Sequence, residues 1–193
     1  MIIKNGQPYQ INGNGKVIKL SDEFTVPFAD VHFANFKKVD TFKDIDSTAE
    51  LDKAVQSRVN YYNIFFAVKV HGQFSKITTR SVYRQKEPYP PLNECADSQH
   101  VFHGSNKTGT IIGYYSPQIF NGPAVGGYHL HFLADDLSMG GHILGFNLSK
   151  GVLSLQPFSN LNQQNPIHDQ KFMNHDFSKD KIEESIDHSE GEH

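Results

Sequence analysis

Glycine and asparagine cut this chain into short β-forming stretches, and that punctuation restricts it to sheets joined by tight turns. Asn5-Gly6 lies between Met1-Ile2-Ile3 and Tyr9-Gln10-Ile11. Asn-Gly suits a two-residue hairpin turn, where both central positions need positive φ. Asn12-Gly13-Asn14-Gly15 repeats the device before Val17-Ile18-Lys19-Leu20. Val31, Phe33 and Asn35 alternate with His32 and Ala34, which predicts a strand over residues 28–36. Aromatic and β-branched residues predict a strand over 62–71, a turn at Gly72 and a second strand over 74–82. The proline cluster at 87–91 then ends the pairing. Further strands are predicted over 108–116, 127–134, 141–146 and 152–155.

One segment has helical periodicity. Ser47-Thr48-Ala49-Glu50 forms a capping box ahead of Leu51, Ala54, Val55 and Val59, which predicts a helix over 48–58 with Asn60 as a stop. Residues 157–168 are rich in Asn and Gln and read as irregular. A short acidic helix over 179–187 follows, and then a frayed end. The expectation is an α+β chain, mostly β, with mixed and antiparallel sheets, one main helix and a single domain over 1–193. That domain ends in an irregular region and acidic tail over 157–193.

Composition excludes several classes. The chain has 193 residues, enough to bury a core without disulfide staples. Its formal net charge of -3 argues against a dedicated nucleic-acid binder. The longest apolar run, 64–68, is too short to span a bilayer, and no signal peptide is expected. With Cys95 as the single cysteine, a disulfide scaffold is excluded and a reducing cytoplasm is the expected compartment. Cys95 sits among Asn93, Glu94 and Asp97 with no cationic neighbour in sequence, so it reads as a bystander.

The chemistry concentrates in Gly126-Gly127-Tyr128-His129-Leu130-His131-Phe132-Leu133-Ala134-Asp135-Asp136-Leu137-Ser138-Met139-Gly140-Gly141-His142. On a strand, His129 and His131 share a face, with Tyr128, Leu130 and Phe132 on the other. A turn centred between Asp136 and Leu137 pairs Ala134 with Met139 and so sets His131 opposite His142. Three imidazoles then meet on one patch, a donor set that suits a catalytic metal with an open position. An isolated H-x-H pair would be read as ordinary strand histidines; the third histidine in register turns the reading to metal. Arg80 is one of three arginines, with Arg58 and Arg84. By itself it reads as a solvated strand residue or as a carboxylate clamp, with Arg84 competing for the latter role. Tail carboxylates Glu183, Glu184, Glu190 and Glu192 offer a further ligand or a solvated acidic end.

These stretches together resemble the α-acetolactate decarboxylases. The resemblance rests on residues 127–132, on Asp135-Asp136 with Gly140-Gly141-His142, on residues 79–92 and on residues 108–113. It implies two linked β-rich sheets, few helices and a homodimer. It implies a Zn2+ site on His129, His131 and His142, a catalytic Arg80, and a metal-ligating glutamate from the tail. Glu190 is the choice for that ligand, with Glu184 and Glu192 as alternatives. The implied reaction is metal-dependent decarboxylation of 2-acetolactate to acetoin, with no nucleic-acid or membrane partner. Members of the family carry a leader ending in an Asp-Gly-Glu-like stretch just before the position of Met1. Its catalytic glutamate has no counterpart here, so impaired turnover with surviving metal binding is expected. Two other readings stay open: a cupin-like metalloenzyme, and a non-catalytic relative that binds a metal or small molecule.

Overall fold

The computed structural model describes residues 1–26, 28–86, 89–90, 94–95, 99–121, 124–180 and 182. Two antiparallel sheets form the body. The small sheet is a meander of β1 (Ile2–Lys4), β2 (Gln7–Ile11) and β3 (Val17–Lys19). Its first turn is the predicted one: Asn5 and Gly6 have φ of 53° and 78°. The large sheet has the order β4-β8-β5-β6-β7, built from β4 (Lys37–Ile45), β5 (Phe66–Ser81), β6 (His100–Ser116), β7 (Gly127–Ala134) and β8 (Gly140–Pro157). The start of β8 also pairs with β7, so β5, β6, β7 and β8 close on themselves. Mixed sheets were expected, but every ladder between these strands is antiparallel.

Several predicted boundaries change. Gly72 is not a turn but the middle of the unbroken β5, flanked by Gly109 on β6 and Gly151 on β8. A Cβ there would lie 2.2 Å from the Lys150 carbonyl oxygen, so this glycine lets three strands approach rather than reversing the chain. Residues 141–146 and 152–155 are likewise parts of one strand, β8, and the strand predicted over 108–116 begins at His100. Residues 28–36 form no strand. Their backbone is held by side chains instead of a ladder: Gln156 Nε2 donates to the Phe33 carbonyl, Asn35 N–H donates to Gln156 Oε1, and Tyr114 Oη donates to the Asp30 carbonyl.

The predicted helix is α1 (Thr48–Gln56), with Ser47 accepting from the Glu50 N–H and Glu50 accepting from Asp46. Leu51 and Val55 are fully buried and join the main core of Phe66, Val68, Phe74, Ile111, Phe132, Leu148 and Leu153. A short second helix, α2 (Gln170–Asn174), capped by Asp169, was not anticipated. Residues 158–168 carry no regular helix or strand, as expected, while the helix expected over 179–187 lies mostly outside the described residues. Among the described residues no helix is long and apolar enough to cross a membrane.

The small sheet docks on the outer face of β6 and β7. Ile2 and Ile11 pack there on Leu133, with Tyr9, Val17 and Ile112 around them. Leu130 and Phe132, on the other face of β7, belong to the main core. β7 is therefore covered on both sides, and its odd-numbered residues from 129 to 133 face the space between the sheets.

Candidate metal centre

The hairpin carrying the histidines forms as its sequence dictates. Asp136 accepts from the Ser138 N–H and hydroxyl, an Asx-type turn, and Leu137 takes the left-handed conformation at φ 56°. The Ala134 N–H donates to the Met139 carbonyl, which sets His131 directly opposite His142. His129 and His131 leave the same face of β7. Ring centroids are 5.0 Å apart for His129 and His131, 4.8 Å for His129 and His142, and 5.4 Å for His131 and His142. One ring nitrogen from each lies within 4.8 Å of the others.

Arg80 joins this group through a second ladder. It is the register partner of His142 on the other side of β8, and it is 8% exposed. Gly141 makes the approach possible. Its φ is 137°, and a Cβ would stand 2.5 Å from the Arg80 carbonyl oxygen. The neighbouring Thr79 hydroxyl, buried, donates to the Gly140 carbonyl. Arg80, His142 and His131 thus occupy one row across β5, β8 and β7. Arg80 Nη1 donates to Gln99 Oε1 at 2.8 Å. Arg84, the rival candidate, is exposed and lies beyond the end of β5.

The electrostatics keep the His131 ring unprotonated. Burial pushes the His131 pKa well below the ordinary imidazole range; facing His129 and His142, and the nearby Arg80 charge, act in the same direction. A neutral imidazole offers the lone pair a metal needs. Three nitrogen donors of this kind, converging beside a cation, fit a divalent transition ion with positions left for a ligand. His129 and His131 open into a cavity of about 440 Å³ that Ile2, Lys69, Thr110, Ile112 and Tyr114 also line. Residues 28–34 and Phe36 also line it.

The structure thus brings His129, His131, His142 and Arg80 together. Glu190, with the alternatives Glu184 and Glu192, and Glu183 lie outside the described residues. Cys95 is half-buried, and its thiol meets the Pro90 carbonyl at 3.9 Å. Sequence reasoning missed Gln99, which follows no motif.

Comparison with known proteins supplies an independent line. A sequence model of the family described as alpha-acetolactate decarboxylase matches residues 1–179. The alpha-acetolactate decarboxylase of Lactococcus lactis subsp. lactis is 32% identical over 190 residues, covering 98% of this chain and 80% of that protein. That of Methanosarcina mazei is 39% identical over 157 residues, 80% of this chain and 54% of the relative. Among solved structures, a Staphylococcus aureus protein described as similar to alpha-acetolactate decarboxylase superposes with a TM-score of 0.87 at 28% identity. It covers 96% of this chain and 80% of that one. The Bacillus subtilis alpha-acetolactate decarboxylase superposes with a TM-score of 0.83 at 28% identity, over 97% and 80% of the two chains.

Proposed function

The chain belongs to the alpha-acetolactate decarboxylase family, and from that premise we propose that it decarboxylates 2-acetolactate to acetoin at a metal held by His129, His131 and His142. The observation that carries this reading is the single row of Arg80, His142 and His131, which sets a buried guanidinium beside three converging imidazoles. A bound divalent cation supplies Lewis acidity, drawing electron density from a ketone.

The chain's own residues do the rest. 2-Acetolactate carries a hydroxyl and a carboxylate on one carbon and a ketone on the next. Cleavage of the carbon–carboxylate bond releases carbon dioxide and leaves an electron pair that the ketone accepts, giving an enediolate. A proton taken up from solvent then adds to the carbon that held the carboxylate, completing acetoin. Arg80 binds the carboxylate, or an enediolate oxygen, with its planar fork; Gln99 steadies that fork. Ile2, Ile112 and Leu133 give the cavity beside His129 and His131 an apolar lining that suits the substrate's methyl groups. No organic cofactor is required, because the substrate contains its own electron sink.

On the same reading the ion is Zn2+, Glu190 is a fourth ligand, the assembly is a homodimer and the compartment is the cytoplasm. Family likeness supports the first three; a single cysteine in 193 residues supports the last. The test is direct. Purified protein loaded with zinc converts racemic 2-acetolactate to acetoin, at the impaired rate expected from the sequence, and a chelator stops it. Undiminished acetoin formation in metal-stripped protein would overturn the metal assignment.

A further inference from the structure

We propose that the cavity beside the histidines binds 2-hydroxy acids that carry a second carboxylate, and that Lys69 holds this far carboxylate while the 2-hydroxy acid end lies at the imidazole cluster. The placement of the near end rests on the decarboxylase reading above; the charge at the far end does not.

Strand register fixes where Lys69 stands. It pairs with Ile112 on β6, and Ile112 pairs with His131 on β7. Directly opposed residues project from the same face of a sheet. That face is the one away from the main core, which takes Val68, Val70, Ile111, Leu130 and Phe132. Lys69 and His131 therefore rise from one row, two strand spacings or about 10 Å apart. Both line the cavity. The whole row runs Arg80, His142, His131, Ile112, Lys69, with a cation at each end.

Lys69 is open to a ligand. It is half-buried, so part of the side chain is accessible. Its ammonium lies 5.7 Å from the centre of the Phe36 ring, which also borders the cavity. A ring face attracts the charge but offers no oxygen to the three N–H donors. Among the described residues, no hydrogen-bond acceptor and no carboxylate pairs with this ammonium. The other lysine on the cavity, Lys4, is engaged: its Nζ lies 2.8 Å from Asp135 Oδ1. Asp30 is the one carboxylate among the lining residues; it is exposed and does not pair with Lys69. A ligand anion on this side of the cavity therefore meets an uncompensated cation. The volume points the same way. About 440 Å³ is in the range that holds drug-sized molecules, more than a five-carbon acid fills. A ligand seated at the histidines has room to extend along the row, and an anionic far end is what Lys69 recognises.

The experiment titrates 2-hydroxyglutarate and 2-hydroxyvalerate into zinc-loaded full-length protein by calorimetry. The two acids have the same carbon chain, and the second ends in a methyl group where the first has its far carboxylate. Wild type binds 2-hydroxyglutarate about tenfold more tightly, the worth of one charge-assisted hydrogen bond. Lys69→Met, which keeps the apolar stem and removes the charge, binds both acids alike. Lys69→Gln also removes the charge and serves if the Met variant does not fold. Lys69→Arg retains the preference, and so does Lys4→Met, which removes the other cation on the cavity. Equal binding of the two acids by wild type, or a preference that survives loss of the Lys69 charge, overturns the proposal. So does a preference abolished by Lys4→Met. Absence of acetoin formation from 2-acetolactate by wild type would instead overturn the decarboxylase reading, since these titrations need no turnover.

Discussion

Arg80 on β5 and His142 on β8 face each other across one ladder, and the glycine preceding His142 has no side chain to hold them apart. This pairing ties the guanidinium to the imidazole cluster by backbone hydrogen bonds rather than by flexible loops. Residues placed on paired strands keep their spacing under thermal motion, which is what a preorganised electrostatic site requires.

Removing the Arg80 charge should therefore act on the chemical step. Arg80→Ala should lower kcat by about 10²–10³-fold, the usual cost of one preorganised charge-stabilising group, with a smaller rise in KM. Arg80→Lys keeps the charge but not the fork and should fall between. Steady-state kinetics with 2-acetolactate decide it. A rise in KM alone would make Arg80 a ground-state binding residue.

Gly141→Ala tests whether the β5–β8 approach is needed. The new methyl meets the Arg80 carbonyl at 2.5 Å, in a backbone conformation with φ of 137° that L residues rarely adopt. We expect a destabilisation of about 1–3 kcal/mol from backbone strain, read as a fall in Tm, and a loss of turnover larger than that fall explains. A variant with wild-type Tm and kcat would show that the ladder tolerates displacement.

Asp136 provides the pH test of the hairpin. Hydrogen bonds from the Ser138 hydroxyl and N–H, then Lys107, hold its carboxyl down at about 2, against 3.8 for the unperturbed group. A depressed carboxyl stabilises the fold fully above its unfolded pKa, and that contribution is lost as pH falls toward about 2. Urea midpoints measured from pH 5 to pH 2 should decline in wild type, and less steeply in Asp136→Asn. The two proteins should converge at the acid end. Parallel curves would show that this carboxylate does not hold the turn.

The site was more legible in the sequence than the sheet around it. Alternation and turn chemistry place His129, His131 and His142 together because those signals are local: two residues along a strand and one tight turn. Gly72 misleads for the opposite reason. Its meaning lies in Gly109 and Gly151, on strands distant in sequence, so local rules read a turn where three backbones converge. Residues 28–36 alternate like a strand, yet Gln156 and Tyr114 side chains satisfy their backbone. The burial of Arg80 also follows from the closure of β8 onto β7 and β5, which no local pattern announces.

The most direct test of the account is the His129→Ala/His131→Ala double variant, assayed for bound zinc and for acetoin formed from 2-acetolactate. With far-UV circular dichroism unchanged, stoichiometric zinc should be lost and turnover should fall by about 10²–10³-fold, the usual cost of removing a preorganised charge-stabilising group. Full turnover by this variant would contradict the account.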